Sequence, residues 1–213
     1  VHLLQQLRAI SSPKASRRRE IEGYKKEFME EVRGLASQQV GMIDAMRGVV
    51  SDDGIVVSGV TNIGYWSNLA LPVGRPRSFI TTSYFATLGF AFPTALGAKV
   101  AAPDRQVVAL CGDGGFLYSP QELATATKYG INVVALVFNN AAYGASEWDQ
   151  THRYGGRYHG TDLRNPDFVK LAEAFGMLGL RVTDKVQVRL LGRRFHPCAH
   201  RGAHVILYVL GQR

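Results

Sequence analysis

Cysteine is nearly absent: Cys111 and Cys198 are the only two in 213 residues. Two thiols cannot build the multi-bridge framework of a small secreted domain, and they fit a reducing compartment such as the cytoplasm. Long apolar runs are also missing. No segment reaches the roughly 18–20 uninterrupted apolar residues that a membrane-spanning helix needs. The N-terminus lacks the basic, apolar and small-residue succession of a signal peptide. Acidic residues stop at Asp184, beyond which six Lys and Arg follow with no carboxylate among them. The formal charge of +8 therefore belongs mainly to the tail, and the first 184 residues carry about +2 of it. A second basic cluster, SPKASRRREIEGYKK, is broken by Glu20 and Glu22. Neither cluster comes with an aromatic-interleaved platform or a groove-reading motif, so no nucleic-acid partner is expected.

What is present suits a globular α/β protein. Apolar residues make up 46% and charged ones 20% of the chain, enough for one sizeable domain with a short appendage. The chain opens on Val1, and VHLLQQLRAI reads as the continuation of something earlier, so a piece of a longer polypeptide is expected. Residues 1–35 are polar with helical spacing, broken at Ser11-Ser12-Pro13, and read as a linker and a surface helix. The main domain is expected over residues 36–184 and an atypical basic tail over 185–213. Within the domain, Gln38–Val50 has a helical apolar period, IVVSGV and SFITT read as short buried strands, and TLGFAFPTALGAKVAA reads as a small-residue helix ended by Pro103-Asp104.

The sharpest unit lies between Gln106 and Asn140. QVVALCG is a buried strand that stops at Gly112-Asp113-Gly114-Gly115. Ser119-Pro120-Gln121-Glu122 predicts a helix start, with Ser as N-cap, Pro at the first position and Glu completing a capping box. The helix should end at Gly130, and INVVALVF is a second buried strand that leads into Asn139-Asn140. A further helix over DFVKLAEAF is expected to start at Asn165-Pro166 and stop at Gly176. Strand, helix, strand at this length is a βαβ unit with parallel strands. The whole pattern predicts an open, doubly wound, mostly parallel sheet with helices on both faces.

Parallel strands place their C-terminal ends on one sheet edge, where such folds bind ligands. Asp113, Asn140 and a backbone carbonyl just beyond Asn140 would then form an oxygen-only set that suits Mg2+ better than Zn2+. The N–H groups of Gly114 and Gly115 could approach an anion closely. Two readings stay open on spacing alone: a Mg2+-bridged phosphate ester, or an ordinary crossover whose Asp caps a turn and whose asparagines make Asx-turns.

GDGGF followed at this spacing by NN resembles the thiamine-diphosphate motif. PRSFITTSYFATLGFAFPTALGAKVAAPDRQVVALCGDGGF is similar to the segment before that motif in the acetolactate synthase, pyruvate oxidase and benzoylformate decarboxylase family. YGGRYHGTDLRNPDFVKLAEAFG resembles the segment after it in the acetolactate synthase branch, and the likeness covers roughly residues 38–184. The resemblance implies the C-terminal, thiamine-diphosphate-binding domain of an enzyme that decarboxylates or ligates 2-oxo acids or related acyl donors. It implies Asp113, Asn140 and the backbone of Ala142 as Mg2+ ligands. It puts Gly112, Gly114 and Gly115 at the diphosphate, with Tyr143 and Gly144 nearby. Leu88 falls where the family holds the cofactor bent, and Ala86 where its backbone meets the aminopyrimidine.

Departures are visible. Thr61-Asn62-Ile63 stands where acetolactate synthases carry a Gly-Gln-His-Gln-type stretch; Asn62 can still reach a phosphate, but Ile63 cannot replace a histidine. NNAAYGASEWDQ differs from that branch after Gly144, near the substrate. The family's activating acid belongs to a separate pyrimidine-binding domain, and no carboxylate here takes its role, so no residue is assigned as catalytic. The chain is expected to be a fragment, or to work with a pyrimidine-binding domain of the same or a partner chain in a homo- or hetero-oligomer. A degenerate, non-catalytic cofactor-binding or interaction domain is the alternative. His196, Cys198, His200 and His204 have a spacing open to Zn2+, but Pro197 and Gly202 interrupt it. After GLRVTD the tail departs from the family pattern in a way that suggests a frameshift near residue 185, with HVILYVL still able to form a strand.

Overall fold

The computed structural model describes residues 5–6, 15–82, 84–182 and, as backbone, 206–211. The chain divides into two units, Val1–Ser37 and Gln38–Arg213. In the first, helix α1 (Arg18–Leu35) carries exposed ion pairs Arg17–Glu20, Arg18–Glu22 and Lys26–Glu30, each worth at most about 0.5 kcal/mol.

The second unit follows from alternation of buried runs and amphipathic segments. Helix α2 (Ser37–Arg47) leads to strand β1 (Ile55–Ser58), helix α3 (Asn62–Ala70) and strand β2 (Phe79–Thr81). Then come α4 (Ala91–Ala101), β3 (Val107–Gly112), the single turn α5 (Asp113–Phe116), α6 (Glu122–Tyr129) and β4 (Val134–Asn139). The described chain closes with α7 (Gly144–Arg153), α8 (Phe168–Ala174), β5 (Leu178–Val182) and β6 (Ile206–Gly211). All pairings are parallel, in the order β2-β1-β3-β4-β6-β5. Strand order reverses between β1 and β3, which makes their C-terminal edge the switch point where open α/β sheets bind ligands. Of the strand expected over HVILYVL, the described part, Ile206–Leu210, is extended and lies between β4 and β5.

Alternate residues of each strand serve opposite faces. Val57, Ala109, Cys111, Ala135 and Val137 pack with Phe92 and Ala95 of α4, Leu123 and Ala126 of α6, and Phe168 and Ala172 of α8. On the other face Leu110 and Leu136 meet Ile43 and Met46 of α2 and Ile63 of α3. Three aromatic rings form a chain within this core. Phe92–Phe116 and Phe116–Phe168 meet edge-to-face at centroid distances of 5.5 and 5.9 Å, a geometry that adds about 0.5–1.5 kcal/mol per pair beyond burial.

Two expected helix starts differ in the structure. The Ser119 capping box does not form: α6 begins at Glu122, and the Ser119 hydroxyl donates instead to the Gly89 carbonyl at 3.1 Å. The buried Ser119 finds a tertiary acceptor, and the turn before α6 closes through backbone bonds such as Glu122 N–H to Ser119 C=O. At α8, Asp167 and not Asn165 is the N-cap, its carboxylate accepting from the N–H groups of Val169 and Lys170. The stops agree with expectation. Gly130 adopts φ 64°, and the Ile131 N–H reaches back to the Ala126 carbonyl in a Schellman closure; Gly176 has φ 74°. Residue 185 and His196, Cys198, His200 and His204 lie outside the described residues.

Candidate functional site

A cleft of about 860 Å3 opens at the C-terminal edge of β1, β3 and β4. It is lined by all eleven positions singled out above: Asn62, Ala86, Leu88, Gly112, Asp113, Gly114, Gly115, Asn140, Ala142, Tyr143 and Gly144.

Asp113 is the most constrained of them, at 2% exposed. Its Oδ2 accepts from the Ala141 N–H at 2.8 Å and from Asn165 Nδ2 at 2.7 Å. Neither donor engages Oδ1. Gly112 pairs with Phe138 across the sheet, so Asp113 and Asn139 follow side by side, with Asn140 one residue further. Asn139 is not a bystander: its Oδ1 accepts from Ala141 N–H at 3.1 Å and from Asn165 Nδ2 at 2.8 Å.

The chain turns sharply at Ala141, where φ is +54°, a left-handed conformation that costs a non-glycine residue about 1–2 kcal/mol. The turn is tied down by an antiparallel bridge between Ala142 and Asp162. That bridge uses the Ala141 carbonyl, bonded to Leu163 N–H at 2.9 Å, and the Tyr143 N–H, bonded to the Thr161 carbonyl at 2.8 Å. In this pattern the carbonyl of Ala142 itself points away from the bridge.

Gly114 is tightly overlaid. A Cβ there would lie 2.6 Å from Tyr143 Cε1 and 2.9 Å from Leu163 Cδ1. At Gly115 the nearest such contact is Leu88 Cδ2 at 3.8 Å, so Leu88 sits across the cleft floor from it. The Tyr143 phenol is held above the usual tyrosine range, first by its hydrogen bond with Tyr118, then by desolvation and by negative charge nearby, including Asp113. Two helix N-termini meet the cleft, α3 through Thr61 and Asn62 and α7 through Tyr143 and Gly144. Neither has a side-chain cap, so their first N–H groups and positive dipole ends suit an anion.

The outer wall is α7, which buries none of its residues. Glu147, Trp148 and Thr151 line the cleft from it. Trp148 stacks on His152 at a centroid distance of 4.3 Å, and Thr151 shares a hydrogen bond with the Tyr158 hydroxyl. Gln150 holds the following loop through both the N–H and the carbonyl of His159. Opposite, the exposed edge-to-face pair Tyr84–Phe85 precedes Ala86, whose φ is +46°. Ile63, at the position noted for lacking a histidine, is buried against the α2 side of the sheet.

Residues 59–206 match the family model described as thiamine pyrophosphate enzyme, C-terminal TPP binding domain. The chain belongs to this family. It is 38% identical over 165 residues to an acetolactate synthase of Mycobacterium bovis, covering 74% of this chain and 27% of that one. It is 38% identical over 159 residues to an acetolactate synthase large subunit of Corynebacterium glutamicum, covering 72% and 25%. Among solved structures it matches a thiamine diphosphate-dependent 4-hydroxybenzoylformate decarboxylase of Rhodococcus jostii RHA1, with a TM-score of 0.68 and 30% identity over 83% of this chain and 32% of that one. The chain spans about a quarter to a third of the length of these relatives.

The domain is thus the thiamine-diphosphate-binding domain of acetolactate-synthase-like enzymes. Asp113, Asn140 and Ala142 all line the cleft, and the groups they could offer, a carboxylate, an amide oxygen and a main-chain carbonyl, are of the type that would suit a hard divalent cation. Among the described residues no cluster of three or more His, Cys, Asp or Glu offers another metal site, and no helix is long and apolar enough to cross a membrane.

Asn139 and Asn165 received no site role from the sequence. Asn165 was masked by its place before Pro166, where it reads as a helix cap. The available signal was Asp167, a second capping residue two positions on, which frees Asn165 for another partner.

Proposed function

We propose that this chain binds thiamine diphosphate through Mg2+, held by Asp113 Oδ1, the Asn140 amide oxygen and the Ala142 carbonyl, as part of an acetolactate-synthase-like enzyme acting on 2-oxo acids or related acyl donors. The observation that carries the reading is the convergence of all eleven motif positions on one cleft at the switch point of a family domain. When bound, thiamine diphosphate supplies a nucleophilic carbon for attack on a 2-oxo acid carbonyl and a sink for the electrons left when carbon dioxide departs.

This chain's residues bind and orient. Gly114 and Gly115 would offer backbone N–H groups to the diphosphate, and the uncapped N-termini of α3 and α7 would add positive potential there. Leu88 and the Ala86 backbone, both lining the cleft, would hold the cofactor's middle and its aminopyrimidine. Tyr65, Phe138 and Trp148 add apolar and aromatic surface to the cleft wall. The acid that activates the aminopyrimidine belongs to a pyrimidine-binding domain of the same or a partner chain, and the working enzyme is a homo- or hetero-oligomer. The buried, unpaired thiol of Cys111 suits the reducing cytoplasm.

Calorimetric titration of the chain with thiamine diphosphate, with Mg2+ and with EDTA, tests the reading. Saturable, Mg2+-dependent binding is expected; its absence refutes the proposal. Adding a pyrimidine-binding domain should yield 2-oxo acid turnover, whereas binding that never leads to turnover would favour a non-catalytic cofactor-binding domain.

A further inference from the structure

Asp113 can serve as a one-oxygen metal ligand if the oxygen turned to the metal is kept clear of other donors. Two donors hold its carboxylate, and both choose Oδ2: the Ala141 N–H at 2.8 Å and Asn165 Nδ2 at 2.7 Å. The same two donors also reach Asn139 Oδ1, at 3.1 and 2.8 Å. The Ala141 N–H has one proton to divide between two acceptors. The Asn165 amide has two, one for each oxygen, and so separates a carboxylate from a carbonyl that would otherwise repel each other.

The orientation of Asn165 is not set by its own comfort. Its Oδ1 is buried and has no hydrogen-bond partner among the described residues, at a cost of about 1–3 kcal/mol. Turning the amide over would point that oxygen at Asp113 Oδ2 and Asn139 Oδ1, placing acceptor against acceptor. The same strand of chain, residues 161–165, also straps the Ala141 turn through Thr161 and Leu163. Asn165 lies 52 positions from Asp113 and 26 from Asn139, and joins the ends of β3 and β4 from outside both.

From this geometry we infer that Asn165 is a positioning residue: its amide selects which Asp113 oxygen faces the metal and holds the turn that carries Asn140 and Ala142. The inference rests on the proposed Mg2+–thiamine diphosphate site. It acts through Asp113 and Asn139 and needs no contact with the cofactor.

The test is the Mg2+ dependence of thiamine diphosphate binding by the 213-residue chain, comparing wild type with Asn165→Ala. The expected result is at least a tenfold rise in the Mg2+ concentration giving half-saturation, the worth of one hydrogen bond to a charged group. The weaker cofactor binding that remains in EDTA should be unchanged, because the glycine N–H groups and helix ends do not depend on Asn165. Asn165→Ser, which keeps a single donor, should fall between the two, and guards against a poorly folded alanine variant. Wild-type Mg2+ dependence in Asn165→Ala would overturn the inference. So would an equal loss with and without Mg2+, or failure of both variants to fold, since each assigns the amide a purely structural role. Absence of Mg2+-dependent binding in the wild type would instead remove the functional reading on which the inference stands.

Discussion

Adjacent glycines at the cleft floor should respond with opposite sign to the same added methyl group. Gly114 and Gly115 both lie in the single turn α5, so alanine at either gains about 0.5–1 kcal/mol from restricting the unfolded chain. The surroundings differ. At Gly114 the methyl would be 2.6 Å from Tyr143 Cε1 and 2.9 Å from Leu163 Cδ1, both well inside contact distance. Relief requires the Tyr143 ring to swing, which breaks its hydrogen bond with Tyr118. Overpacking of this kind costs about 1–3 kcal/mol. At Gly115 the nearest atom is Leu88 Cδ2 at an ordinary 3.8 Å. The backbone gain cancels between the variants, so Gly114→Ala should melt about 2–12 °C below Gly115→Ala, at about 2–4 °C per kcal/mol for a chain of this size. Differential scanning calorimetry of both variants without ligand measures it. A Gly114→Ala protein that melts at or above Gly115→Ala would show that Tyr143 does not pack on the glycine turn as described.

Three further outcomes follow from the same geometry. Asp113→Ala should abolish Mg2+-dependent thiamine diphosphate binding, and should lower stability by leaving the donors on Ala141 and Asn165 short of an acceptor, about 1–3 kcal/mol; calorimetric titration and thermal melting read the two effects. Burial pushes the Cys111 thiol up to about 12 from an ordinary value of 9.0. The folded state therefore keeps a proton that the unfolded state releases, so this group's stabilisation is complete below pH 9 and is lost as pH rises toward 12, by about 1.4 kcal/mol per pH unit. Denaturant melts across that range should show a shallower decline in Cys111→Ala, and an identical slope would contradict the burial effect. Asp167→Ala should destabilise the chain by about 1 kcal/mol through loss of the α8 cap, visible as a lower melting temperature, while the exposed Arg181–Asp167 pair adds little.

Local chemistry was most legible where it was redundant. QVVALCG and INVVALVF are continuous apolar runs, so β3 and β4 could be read directly, and Gly130 and Gly176 marked helix ends because the left-handed turn favours glycine. The helices α3 and α7 were not foreseen. Neither begins with a side-chain cap, α3 is only nine residues long, and α7 buries none of its side chains, so no core-facing apolar stripe announces it. Ser119 misled for a physical reason: its hydroxyl could cap α6 or bond the Gly89 carbonyl 30 positions away, and the buried tertiary partner prevailed.

Residue order alone determined that Asp113 and Asn140 would share one sheet edge, since a short helical crossover between two buried strands leaves them parallel with their ends together. It also placed oxygen-bearing candidates, Asp113 and Asn140, near Gly114 and Gly115. Only the tertiary structure decided how Asp113 is held. The donors that fix its Oδ2 come from the left-handed turn at Ala141 and from Asn165, which lies beyond the next helix. Such a bond carries no period and no spacing rule, because it exists only once packing has brought distant segments within 3 Å.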